Sequence, residues 1–152
     1  MNSSYEQKHP LYAASFTKRR KAMDLYEGGE RIEGNRAYLT RHTYESDKQY
    51  DIRASRATYR NFAAPIVDVF ASFINEGRPE RILPDALRPI EADADRYGMT
   101  ADAFFADVTR LAAAGGARFV IVDMEQKKGE TVAEDRASGS RMVPYFTSIS
   151  PD

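Results

Sequence analysis

The sequence predicts an α+β fold, mostly helical, that finishes in a C-terminal antiparallel β-hairpin. Three observations carry this. Apolar residues recur at helical spacing over most of residues 11–114, in stretches opened by Pro, Ser or Thr and closed by Gly. Two runs near the end, FVIVD and MVPYFTSI, have strand length and are rich in β-branched and aromatic residues. No cysteine is present, so the fold must rest on an ordinary core, without a disulfide framework or thiolate-bound metal. A chain of 152 residues suffices for one such core.

The elements follow in order. Pro10 marks a helix start, and residues 11–26 continue without a breaker until Gly28 and Gly29 stop them. This helix carries Lys18, Arg19, Arg20 and Lys21. Four consecutive helical positions cannot face one way, so they read as a solvated face rather than a phosphate-binding patch. Residues 30–45 are irregular, with Gly34 and Asn35 as turn formers. Ser46 and Gln49 fit a capping box that opens a helical stretch over 46–75. Its stripe runs Tyr50, Ala54, Ala57, Asn61, Ile66, Val69, Phe70, Phe73 and is expected to pack in the core. Arg53, Arg56 and Arg60 would then lie outside; stacking of Tyr59 and Phe62 among these arginines on bases is the competing reading. Pro65 inside the pattern predicts a kink or break.

GRPERILP, 77–84, is a connector, and a shorter helix is expected over 85–97, ended by Gly98. Thr100 caps a helix over 101–114, with Ala103, Phe104, Val108, Leu111 and Ala112 on its apolar face and Gly115 and Gly116 closing it. A strand over 117–123 follows; its continuous apolar run, Phe119 to Val122, predicts burial on both faces. The next stretch is charged and rich in Gly and Ser, and a mobile arm is expected over 125–140. The second strand, 142–149, contains Pro144, which suits an edge.

Composition bounds the function classes. Hydrophobic residues make up 42% and charged residues 30%, ordinary values for a soluble globular domain. No run approaches the ~18 apolar residues of a membrane span, and MNSSYEQKHP lacks the apolar core of a secretory signal. The chain reads as made in a cytoplasm. Net charge is −1; residues 1–60 carry 12 basic and 8 acidic side chains, the remainder 10 and 15. So mild an asymmetry reads as solvated surface, although it would suit head-to-tail self-association.

GGARFVIVDMEQ, an apolar strand ending in Asp123 and Glu125, resembles the magnesium-holding strand of many ATPases. Such an enzyme also needs a Gly-rich loop of the form G-x-x-x-x-G-K-[ST], and none exists here. His9 and His42 have no ligand-spaced companions. Glu91, Asp93 and Asp95 read as a solvated helical face rather than a calcium site. No G-x-S-x-G elbow occurs. No catalytic, cofactor-binding or metal-binding residue is assigned, no cofactor is expected, and the chain is read as a non-enzyme.

Three blocks in order resemble the start of the tailed-bacteriophage portal, or head–tail connector, proteins. The first joins KAMDLYEGGERIEGNRAYLTRH to ESDKQYDIRASRATYRNFAAPIVDVFASFI, with Tyr38, Leu39, Arg41, His42, Tyr50, Arg53, Arg56, Ala57 and Asn61 at the matching positions. The second, DADRYGMTADAFFADVTRLAAAGGARFVIVD, is similar to a portal helix feeding a Gly and a buried strand. The third, RMVPYFTSISPD, resembles the returning strand. Together they cover residues 21–152. The resemblance implies a wing-type N-terminal segment of a longer subunit, so that the chain would be a fragment. It implies a homo-oligomeric ring, a dodecamer in full-length form, at the capsid vertex of a virion made in a bacterial host. Its partners would be terminase, capsid and head-completion or tail proteins. Duplex DNA would be touched only by portions beyond these residues, and no membrane is involved. The alternative is a protein-binding adaptor domain whose helices share the portal order.

Overall fold

The start signals act where the sequence places them. In the computed structural model, which describes residues 9–77, 79–124, 131–137 and 143–151, helix α1 (Pro10–Glu27) begins on Pro10, and the His9 ring accepts the Leu11 N–H at 3.3 Å. It ends at Gly28, whose φ of 67° and ψ of −150° fall in a region open essentially to glycine alone. A 3-10 turn, Gly29–Arg31, leads into an irregular stretch. Ser46 and Gln49 form a reciprocal capping box at the start of α2 (Asp47–Arg56). The chain divides into two compact units, residues 1–69 and 70–151, and helix α3 (Ala63–Ile74) spans the division.

In the first unit the helical stretch expected over 46–75 is two helices. α2 stops at Arg56, Ala57 turns extended, and α3 begins at Ala63. The break precedes Pro65, which sits in the first turn of α3, where a missing N–H costs nothing. The intervening residues are used as caps. The Tyr59 hydroxyl donates to the Leu25 carbonyl at 2.8 Å and Asn61 Nδ2 to the Tyr26 carbonyl at 2.6 Å, two of the unpaired carbonyls in the last turn of α1. Asn61 Oδ1 accepts the Ala64 N–H at 2.9 Å. One side chain thus closes the end of α1 and the start of α3.

The apolar stripe is only half in the core. Tyr50 and Ala54 are buried, as is Ala71 of α3, but Phe70 and Phe73 are 64% and 68% exposed, and Ile66 and Val69 are exposed too. Within α3 the small Ala71 takes the buried position, and the large side chains point elsewhere.

The second unit corrects the helix expected over 85–97. A 3-10 turn (Asp85–Leu87) is followed by a single turn, α4 (Pro89–Ala92). Beyond it Asp95 Oδ1 accepts the N–H groups of Tyr97 and Met99 at 2.8 and 3.1 Å, and Asp93 Oδ1 that of Gly98 at 3.0 Å. These side-chain acceptors compete with helical carbonyls and fold the segment into a loop. Thr100 accepts the Ala103 N–H to cap α5 (Ala101–Gly115), which ends on Gly116 in the left-handed conformation.

Strands β1 (Phe119–Asp123) and β2 (Tyr145–Ile149) pair antiparallel, from Phe119 opposite Ile149 to Asp123 opposite Tyr145. This bears out the mostly helical α+β class with a C-terminal hairpin. The unit's core is Ile90, Ala94, Ala101 and Phe104, flanked by Leu87, Val108, Val120, Val143 and Phe146. Burial of β1 on both faces does not hold. Val120 meets the core, whereas Phe119 is 57% exposed and Ile121 and Val122 are exposed as well. A two-stranded sheet has one face toward a core, and alternation sends Phe119 and Ile121 to the other. Of the arm expected over 125–140, residues 125–130 and 138–140 lie outside the described residues. Within it stands a short helix, α6 (Val132–Ala137), opened by a reciprocal pair: Glu134 N–H to Thr131 Oγ1 and Thr131 N–H to a Glu134 carboxylate oxygen. Among the described residues no helix is long and apolar enough to cross a membrane.

Candidate functional site

Among the described residues the densest polar constellation lies in the first unit, around the loop that precedes α2 and the face of α2 that meets it. Arg53 sits one and a half turns into α2 and reaches back over its N-terminus. Its guanidinium grips Glu45 through both carboxylate oxygens, at 2.8 and 2.7 Å, and donates to the Thr40 carbonyl at 3.0 Å. Two parallel N–H···O bonds make this the strong, geometrically selective form of an ion pair. The Arg53 hydrogen bonds hold the Glu45 carboxyl well below its usual range, down to about 2, and the same pairing raises Arg53.

The neighbours close the loop. Arg41 donates to the Glu45 carbonyl at 3.2 and 2.8 Å and pairs with Asp47 at 2.6 Å. The His42 N–H donates to Glu45 at 3.3 Å. Buried Tyr50 donates its hydroxyl to the Leu39 carbonyl at 2.8 Å, and Arg36 and Arg53 both stand over its ring, at 5.3 and 5.4 Å.

A second knot ties this loop to α1. The Tyr38 hydroxyl donates to the buried Asp24 carboxylate at 2.5 Å, which raises the Tyr38 phenol. Arg31 approaches the other Asp24 oxygen at 3.4 Å and pairs with Glu27 at 2.9 Å. The Tyr26 hydroxyl donates to Asp68 at 2.7 Å.

Of the residues that carry the portal resemblance, Tyr38, Leu39, Arg41, His42, Tyr50, Arg53 and Asn61 all take part in this framework. Arg56 is exposed, and Ala57 ends α2. Sequence reasoning did not single out Asp24 or Glu45, and it weighed Tyr59 only as an aromatic that could stack on bases. Asp24 and Glu45 are ordinary acids in the chain; their roles come from partners that the fold brings to them.

The acid at the end of β1 is likewise engaged. Asp123 accepts the Met124 N–H at 2.7 Å and the Tyr145 hydroxyl at 2.9 Å, which together lower its carboxyl and raise the Tyr145 phenol. The Arg96 guanidinium stacks over Tyr145 at 4.3 Å. The strand end that resembled an ATPase motif is a cross-strand clasp. Asp93 and Asp95, expected on a helical face beside Glu91, are loop caps instead. The KRRK cluster is spread around α1: Arg19 donates to Ser15 at 2.7 Å and lies over Tyr12, while Lys21 lies over Tyr38.

Each shifted group moves away from neutrality: carboxylates down, phenols and guanidinium up. In each the leading cause is a hydrogen bond that favours the protonation state already dominant near pH 7. An open groove of about 680 Å³ in the second unit brings Glu76, Glu91 and Asp102 near Arg81, whose guanidinium pairs with Asp102 at 2.5 Å and lies over the Phe105 ring. No model of a known protein family matches this chain. The comparison with curated proteins also returned no match.

Proposed function

We propose that this chain is the wing-type segment of a phage portal subunit and that its role is structural: part of a ring at the capsid vertex serving DNA packaging, ejection and head–tail connection. One observation carries the reading. Seven of the residues on which the portal resemblance rests spend their polar groups or backbone on the chain's own framework, capping helix ends and pinning the loop before α2. Residues that shape a scaffold suit a structural conduit, in which the chemistry of packaging belongs to a separate motor. The engaged Asp123 and the outward-shifted pKa values favour the same view. The alternative, an adaptor domain without portal role, draws on the exposed Phe70 and Phe73 of α3, which offer a protein-contact face.

Two measurements test the proposal. The gene should stand beside a large terminase gene and capsid genes. Electron microscopy of the product of its whole reading frame should show rings with a central channel. A product without rings, from a gene with no such neighbours, would remove the portal reading and leave the adaptor.

A further inference from the structure

The two edges of the hairpin differ. The Phe146 N–H donates to the Ala94 carbonyl at 2.7 Å, so it points away from β1. In an antiparallel ladder this makes Phe146 and its partner Val122 a pair that exchanges no hydrogen bonds, and by alternation Ser148 and Val120 are another. The outer edge of β2 therefore presents the backbone groups of Phe146 and Ser148, and that of β1 presents those of Val120 and Val122. On the β2 side the Phe146 N–H is taken by Ala94, the Ser148 carbonyl accepts from Arg118 at 3.4 Å, and Pro144 stands just before the strand. On the β1 side, among the described residues, no hydrogen bond reaches either valine. That edge also has no Pro and no charge from Phe119 to Val122, the usual devices that discourage strand addition.

We propose that the β1 edge pairs with the β1 edge of a second copy, antiparallel about a two-fold axis through Ile121. The register is dictated by the open groups. Val120 of each copy meets Val122 of the other, and the four outward N–H and carbonyl groups of each copy all find partners. Ile121 faces Ile121 across the axis, at the close spacing of a pair that exchanges no backbone bonds. A second copy suits this edge because neither strand brings a charged side chain between Phe119 and Val122, so no like charges meet across the axis. The outward apolar side chains Phe119, Ile121 and Ile149 of both copies then join into one face of a four-stranded sheet. The inference does not rest on the portal reading.

The test measures particle mass by light scattering at tens of micromolar protein, with far-UV circular dichroism to verify folding. Val122→Pro removes an outward N–H that the hairpin itself does not use, and Val122 is exposed, so the variant keeps the fold and halves the particle mass. Ile121→Glu and Ile121→Lys each set like charges across the axis and halve the mass alone. Mixed together, they restore it. A wild-type chain that stays monomeric, a folded Val122→Pro of unchanged mass, or a mixture that stays at half mass would each overturn the proposal. Pairing of β1 with a foreign extended strand would appear as the first of these.

Discussion

Truncating Phe104 to alanine tests the packing of the second unit most directly. Phe104 is 5% exposed, so almost all of a side chain that covers ~150–250 Å² is removed from water. At about 25 cal/mol per Å² that burial is worth about 4–6 kcal/mol. A denatured chain that already hides part of its apolar surface lowers the figure to about 3–5 kcal/mol, the range found when buried phenylalanines become alanine. Its ring also meets Phe105 edge-on at 5.5 Å and Phe146 at 5.6 Å, contacts that the cavity would strand. Phe105 is the control: it belongs to the same aromatic cluster but is 37% exposed. Urea unfolding of Phe104→Ala, followed by circular dichroism and by amide exchange at residues 119–123, should register a loss of about 3–5 kcal/mol. Phe105→Ala should lose distinctly less. A loss under about 1 kcal/mol for Phe104→Ala, or equal losses for the two, would refute the assignment of Ile90, Ala94, Ala101 and Phe104 as the core.

Gly28→Ala should lower stability by about 2 kcal/mol or more, because its backbone conformation disfavours any side chain and a Cβ would stand 3.1 Å from Asn61 Nδ2 and 3.3 Å from the Tyr59 ring. Gly29→Ala, also at positive φ but with nothing within 4 Å, should cost less; a larger melting-temperature drop for Gly29→Ala would contradict this. Because folding depresses the Glu45 carboxyl from 4.5 to about 2, its contribution is complete above about pH 4.5 and is lost as pH falls toward 2. Urea midpoints measured across that window should fall for the wild type by more than for Glu45→Gln, and parallel profiles would count against the pairing. Finally, no ATP hydrolysis is expected, and a labelled-duplex titration should find at most weak binding that disappears by about 150 mM salt. Submicromolar, salt-resistant binding would make Lys18 to Lys21 a functional surface.

Local rules made much of the fold legible. Pro10, Ser46 with Gln49, Thr100 and Gly116 act as helix boundaries because a cap needs only partners within three or four residues. The two strands are legible for the same reason, since alternation and β-branching are properties of short runs. The Thr131 and Glu134 box obeys the rule applied at Ser46, yet the polar composition around it outweighed the local signal in the reading of an arm. Tertiary structure decided the rest. Tyr59 caps a carbonyl 34 residues back and Asn61 one 35 residues back, and that demand parts α2 from α3 where the apolar period runs on. Glu45 and Asp24 acquire their roles from Arg53 and Tyr38, and the core-facing side of β1 follows from which partner strand and which helix it meets. Where elements start, stop and alternate is set by contacts a few residues apart, and so can be read along the chain. Only the folded path of the chain decided which carbonyls, carboxylates and strand edges meet a partner, because such pairings depend on distance in space and leave no periodic mark in the chain.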